Sequence, residues 1–274
     1  MEKVFEPKDI YSPAKIAKKV ESLGVSKTHI DTTTLLVLSI LAGAFISLGA
    51  IFFITTITAS NLGFGLTRLI GGISFCLGLI LVVIAGAELF TGNNLIAMAW
   101  VSKLIKTKDV IRNWILVYIG NVIGCIGTVI LLLLSDIDTL NNNAIAKSAI
   151  NIANSKANLN FTVAFIRGVV CNVLVCLAVW LAMSGRSTID KILAIIFPIT
   201  AFVALGMEHS IANWFFLPYG LLLDTQNTIS VVGSINNVIA VTLGNIVGGT
   251  FMVGGAYWLA YLKPKKVQEN IKKT

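Results

Sequence analysis

Two short stretches of this chain place polar and ionisable side chains where nothing around them is polar. GAELFTGNN (86–94) and GMEHSIAN (206–213) each interrupt a long apolar run. Aligned on their glutamates they share Gly-x-Glu-x4-Asn, with Gly86, Glu88 and Asn93 against Gly206, Glu208 and Asn213. A carboxylate buried in apolar surroundings is costly unless it is paired or hydrogen-bonded. Glu88 and Glu208 are therefore expected to be structural, accepting bonds from backbone N–H groups freed where each helix breaks, with Asn93 and Asn213 beside them. Direct contact with a solute is the less favoured reading. His209 has no equivalent in the first stretch, where Leu89 stands in its place. A histidine in an apolar helix can serve as helix–helix glue, but beside an interruption a functional role is favoured. Thr91 sits at the first break, so pseudo-symmetry would bring its hydroxyl close to the imidazole. Asn121, Asn172 and Asn245 lie within apolar runs and offer amide donors without a permanent charge. Phe75, Phe90 and Phe202 flank the breaks; from spacing alone, core packing is the plainer reading and a pinched pore the alternative. A donor-rich centre capped by carboxylates suits a small anion, since cation sites present acidic rings or exposed carbonyls.

The elements that must carry these residues are membrane helices. Of the 274 residues 56% are hydrophobic and 12% charged, and the mean hydropathy is +0.86, which excludes a soluble domain of this length. Cys76, Cys125, Cys171 and Cys176 all fall inside apolar runs and read as small buried hydrophobes, not as a disulfide framework or metal cluster. No cofactor is implied. The net charge of +8 does not point to nucleic acid, because the basic residues follow a topology. Apolar runs at about 33–59, 69–100, 113–134, 161–183, 192–222 and 231–262 give six spans of the roughly 20 residues that a crossing requires. The N-terminal arm, 101–112, 184–191 and the tail then share one side, which holds seventeen of the twenty-one Lys and Arg residues. By the positive-inside rule that side is cytoplasmic, and the protein is a multi-pass cell-membrane protein with both termini inside.

The second and fifth runs are too long for one straight crossing and are broken by the two polar stretches, 120 residues apart. The third run holds GNVIG (120–124) and the sixth GNIVG (244–248), 124 apart; Gly43 against Gly168 is the only match between the first and fourth. Three spans repeated must be inverted in the membrane, which is the architecture of transporters whose discontinuous helices form a midplane site. The expected fold is thus all-α, with an arm at 1–30 and a channel domain at 31–262 (repeats at about 31–134 and 160–262). A basic tail occupies 263–274. In the arm, Ser12 and Pro13 begin a short amphipathic helix with Ile16, Val20 and Leu23 on one face, expected to lie on the membrane surface. The segment 135–160 reads as a loop on the outer side, carrying Lys147 and Lys156.

VIAGAELFTGN (83–93) and GVVCNVLVCLAVW (168–180), with SGRSTIDK (184–191) and GMEHSIAN, closely resemble signature stretches of the formate–nitrite transporter family, and the resemblance runs from about residue 10 to 262. It implies an aquaporin-like fold in a homopentamer that moves formate, nitrite or hydrosulfide. It also implies a pathway through Thr91, His209, Asn172, Asn245 and Lys156. Leu79, Leu89 and Phe202 resemble its inner constriction, Phe75 and Phe90 the outer one. On that footing an anion drawn by Lys156 reaches Thr91 and His209, and proton transfer from a protonated His209 would neutralise it; the competing view is that His209 only donates a hydrogen bond. Two other functions compete. A membrane-embedded enzyme would use Glu208 and His209 as an acid–base pair, but no nucleophile, metal set or nucleotide loop accompanies them. A neutral-solute pore would carry paired Asn-Pro-Ala signatures, which are absent.

Overall fold

The computed structural model describes residues 10–263. The basic residues assigned above to 1–9 and 264–274 lie outside the described residues. The architecture is helical, with no named strand among the described residues. In chain order the helices are α1 (Pro13–Thr28), α2 (Thr32–Ile57), α3 (Gly63–Ala85), α4 (Phe90–Asn93), α5 (Ala97–Val101), α6 (Thr107–Leu134), α7 (Leu140–Ala157), α8 (Phe161–Ser184), α9 (Thr188–Ala204), α10 (Ser210–Leu223), α11 (Val231–Val247) and α12 (Ala256–Tyr261). Five stretches are long and apolar enough to cross a membrane: Thr32–Ile57, Gly63–Ala85, Thr107–Leu134, Phe161–Ser184 and Val231–Tyr261. The expected fifth run appears instead as α9 and α10, of 17 and 14 residues, separated by the break at 205–209. The first break is less central than its sequence suggests: 23 residues of α3 precede it, and only the short pieces α4, Asn94–Ile96 and α5 follow.

Polar side chains at the edges of the apolar runs start the long helices. Asp31 accepts from Thr34 N at 3.0 Å, Asn160 from Thr162 N at 2.9 Å and Ser230 from Gly233 N at 3.0 Å, each satisfying an orphan donor of a first turn. Outward-facing side chains are apolar. Ile111, Ile115, Ile119 and Ile123 of α6 are all about half exposed, one every fourth residue, which suits lipid or a neighbouring protomer and not water.

The GNVIG and GNIVG glycines are where helices touch. A Cβ on Gly124 would fall on the Ile40 carbonyl of α2, and one on Gly248 on the Val169 carbonyl of α8. Without side chains these positions let α6 approach α2, and α11 approach α8, at backbone distance. Immediately after Val247 the chain runs as a π-helix over Gly248–Gly255 before α12 resumes the α turn.

Two expectations are corrected here. Segment 135–160 is not a loop: α7 fills most of it, its regular turns following a kink at Asn141, Asn142 and Asn143, which have φ of 53, 55 and 61°. Ile145, Ala149, Ala153 and Ala157 form its buried stripe, four residues apart and small enough that Ala153 fits against Gly220 of α10. The N-terminal helix does not lie free on a surface either. It extends to Thr28 and buries Ile16, Ala17, Val20, Gly24 and Thr28, packing with Leu95, Met98, Trp180 and Val253. These two helices correspond. The stripe 16, 20, 24, 28 of α1 and the stripe 145, 149, 153, 157 of α7 stand 129 residues apart.

Candidate functional site

Both breaks begin with a glycine in the left-handed region, Gly86 at φ 84° and Gly206 at φ 71°, which reverses the chain at the end of α3 and of α9. Three extended residues follow before the next helix starts, leaving donors and acceptors without helical partners. The answering groups are asparagines. Asn121 Oδ1 accepts from Phe90 N at 2.9 Å, while its Nδ2 donates to Ser39 O at 2.7 Å and Glu88 O at 2.9 Å. Asn245 repeats the pattern, accepting from Ser210 N at 2.9 Å and donating to Gly168 O at 2.8 Å and Glu208 O at 3.1 Å. The amides of Glu88 and Glu208 donate to Leu38 O and Arg167 O, at 3.2 and 3.3 Å. Ser39 and Leu38 thus correspond to Gly168 and Arg167, an offset of 129, which places Asn172 and not Gly168 opposite Gly43.

The glutamate side chains do something other than hold freed backbone. Glu88 binds Lys27 Nζ at 2.7 Å and Asn93 Nδ2 at 2.7 Å. Asn93 Nδ2 also reaches Asn113 Oδ1 at 3.0 Å, and Asn113 Nδ2 returns to Lys27 O at 3.2 Å. Around Glu208 the same circuit closes: Lys156 Nζ at 3.0 Å, Asn213 Nδ2 at 2.7 Å, Asn213 to Asn237 at 2.7 Å, and Asn237 back to Lys156 O at 3.0 Å. Each carboxylate is buried, 7% exposed for Glu88 and 3% for Glu208. Each is tolerated because it is paired and hydrogen-bonded at once. Neither the hydropathy pattern nor the Gly-x-Glu-x4-Asn match points to Lys27, Asn113 or Asn237. A signal exists in the Ser-Lys dipeptide at 26–27 and 155–156, again 129 apart.

At the centre the matched bonds give way to an unmatched pair. Thr91 Oγ1 lies 3.0 Å from His209 Nε2, although the positions corresponding to them are Ile211 and Leu89. His209 is the N-cap of α10, and its Nδ1 accepts from Ala212 N at 3.1 Å. A ring nitrogen that accepts carries no proton, so the neutral imidazole has its hydrogen on Nε2, directed at the threonine hydroxyl. Phe202 stacks on the imidazole at 6.0 Å between centroids and meets Phe75 edge-on at 5.6 Å.

A cavity of about 310 Å3 opens above this point, lined among others by Lys156, Arg68, Arg167, Phe75, Phe202 and His209. On the Lys27 side the space is far smaller, about 30 Å3 between α1 and the stretch Gly92–Ile96. The four cysteines are free and buried, and no group of three metal-ligating side chains occurs among the described residues.

A family model described as formate/nitrite transporter matches residues 14–259. The chain belongs to the formate/nitrite transporter family. It is 38% identical to the formate channel FocA of Escherichia coli, over 95% of this chain and 98% of that one. It is also 38% identical to a probable formate transporter of Methanothermobacter thermautotrophicus, over 92% and 97%. Among solved structures it is similar to one described as a pentameric formate channel with formate bound (TM-score 0.77, 37% identity, 85% of this chain and 98% of that one). Another, described as an ion channel of the same family, gives a TM-score of 0.83 at 29% identity, covering 90% and 98%. As in the family at large, the chain is a multi-pass membrane protein.

Within this family frame the expected site residues fall into two groups. Thr91, His209 and Lys156 stand at or around the cavity and its floor. Asn172 and Asn245 are fully buried and committed: Asn172 Nδ2 donates to Thr91 O at 3.3 Å and Asn245 O at 2.6 Å. Neither amide has hydrogens to spare for a solute; they position the two breaks against each other. The slit residues are also regrouped. Phe202 lines the large cavity together with Phe75, while Phe90 packs on Trp114 and Tyr118, at 6.2 and 4.9 Å. Leu79, Leu89 and Phe90 are buried in the main core and do not line the large cavity.

Proposed function

We propose that this chain is a channel for formate and similar monovalent weak-acid anions, assembled as a homopentamer in the cell membrane with its termini in the cytoplasm. The observation that carries it is the Thr91–His209 pair, a hydroxyl and an imidazole N–H 3.0 Å apart at the floor of a cation-lined cavity. The names of its relatives, a formate channel and a pentameric formate channel with formate bound, support the same reading. A channel or transporter, and not an enzyme, is what those relatives are called.

The anion would enter past Lys156, whose field raises its local concentration, and shed water at the Phe75–Phe202 slit. A bare anion crosses such a slit badly unless donors replace its hydration. Thr91 Oγ and His209 Nε2 supply them. Beyond lie Leu79, Leu89 and Phe90, then Lys27 at the other mouth. Of the two roles considered for His209, hydrogen-bond donation fits the site better than delivery of a proton. An imidazolium would need a hydrogen on Nδ1, which here accepts the Ala212 N–H at the positive end of α10.

The deciding experiment is flux into proteoliposomes holding the purified protein. Formate, nitrite and hydrosulfide would be compared with chloride and glycerol, at acidic and mildly alkaline external pH. Rapid entry of formate with chloride and glycerol excluded is the expected result. Glycerol entry without anion flux would mean a neutral pore and would overturn it.

A further inference from the structure

The two ends of the molecule repeat each other closely, so their differences are informative. At the mouth on the Lys27 side, the carbonyl that receives the amide of the break's glutamate belongs to Leu38; at the Lys156 side it belongs to Arg167. The scaffold therefore does not need an arginine at this position. Arg68 is likewise on the Lys156 side alone, and the residue corresponding to it at the repeat's offset of 120 is Thr188. Its guanidinium is occupied, since Nε donates to Ala204 O at 3.0 Å and Nη2 to Val203 O at 2.8 Å, capping the end of α9. Arg167 differs. Its side chain makes no hydrogen bond or ion pair with any described residue, it is only half-buried, and it lines the large cavity. The single carboxylate among the lining residues, Glu208, is already paired with Lys156. The cavity thus holds a surplus of positive charge and a guanidinium with all five donors unspent.

Its shape points further. About 310 Å3 is at the lower end of what drug-sized ligands occupy and is oversized for a three-atom anion. Apolar rings make up much of the wall: Phe53 and Phe216 meet edge-on at 6.0 Å, Phe75 and Phe202 close the floor at 5.6 Å, and Lys156 Nζ lies 5.2 Å from the Phe216 ring centroid. A carboxylate could take the guanidinium bidentately while its body lay against those rings, above the Phe75–Phe202 floor.

We propose that the Lys156-side cavity is a docking site for monocarboxylates with a compact aromatic or apolar body, held by Arg167, which occupy the mouth without crossing and so block it. The functional part of this inference rests on the channel reading above; the binding part does not.

The test uses benzoate, with benzyl alcohol as the uncharged control. Calorimetry on the purified protein in detergent reads binding. Initial formate flux into proteoliposomes, at each variant's own half-saturating formate and with benzoate on both sides, reads block. Benzoate is expected to bind, to compete with formate, and to lose affinity roughly tenfold or more in Arg167→Gln, the scale of one charge-assisted hydrogen bond. Arg167→Lys should recover part of it, because it keeps the charge without the fork. Failure of benzoate to bind the wild-type protein, or equal binding by Arg167→Gln, overturns the proposal. If no variant carries formate, the channel reading fails and the calorimetry decides the docking site alone.

Discussion

At the residue scale the site rests on which lone pairs and hydrogens are already spent. His209 holds two bonds with distinct consequences, and one substitution separates them. Asparagine is a good N-cap, so His209→Asn keeps the bond from Ala212 N while removing the donor aimed at Thr91. The variant should fold with a melting temperature near that of the wild type and carry less formate, with an unchanged pH profile of flux. Loss of the pH dependence in this variant would restore the proton-delivery role. Asn245 is the opposite case, a side chain whose amide is spent on the protein, answering the Ser210 N–H, the Glu208 carbonyl of the break and the Gly168 carbonyl of α8. Asn245→Ala leaves the Ser210 N–H and the Glu208 carbonyl unsatisfied, at about 1–3 kcal/mol each where nothing replaces the bond, while the Gly168 carbonyl, inside α8, keeps its helical bond. Asn121→Ala should cost a similar amount, since its bonds match. Thermal unfolding in detergent checks this, and a change under about 0.5 kcal/mol, the ordinary surface value, would deny the asparagines their role.

At the scale of elements the two breaks can be weighed against each other. Gly86 and Gly206 share a left-handed backbone, but a Cβ on Gly86 meets nothing within 4 Å, whereas one on Gly206 lies 3.0 Å from the Arg68 guanidinium. Gly86→Ala should cost about 1–2 kcal/mol, the left-handed penalty alone. Gly206→Ala should cost more, because it also disturbs the cap on α9; equal melting temperatures for the two variants would show that Arg68 simply yields. Much of this level was legible in the sequence. A polar break in an apolar run is a strong hydropathy signal, and matching the breaks at one offset was enough to set Thr91 beside His209. Reading by hydropathy also set the limit. It confines the repeats to the apolar spans, which leaves out the polar helices α1 and α7, although the Ser-Lys dipeptide at 26–27 recurs at 155–156. Nor does spacing reveal how a helix is rotated. Hydrogen-bond commitments are equally hidden, because they are decided by partners distant in sequence, such as Asn172 with the carbonyl of Asn245.

On the scale of the whole molecule, each face has a lysine held by a glutamate from the break nearest to it, and each lysine's carbonyl is held by an asparagine from the third helix of the same half. The lysine neutralises a buried carboxylate and, on the proposed function, also presents charge to an anion, and a pair of substitutions can divide these duties. Lys156→Met strands Glu208, which is 3% exposed, and breaking a buried pair from one side typically costs about 3–5 kcal/mol. Adding Glu208→Gln removes the stranded charge while keeping an acceptor for Asn213, so the double variant should regain most of the lost melting temperature. Formate flux should not return with it, because the cation at the mouth is still missing. The same experiment at Lys27 and Glu88 is expected to follow the same pattern with a smaller stability loss, since that lysine side chain is 28% exposed against 14% for Lys156 and water screens it more. Recovery of both stability and flux in the Lys156→Met, Glu208→Gln protein would mean that the lysine serves only its glutamate, and that anions are gathered at this mouth by Arg68 and Arg167 alone.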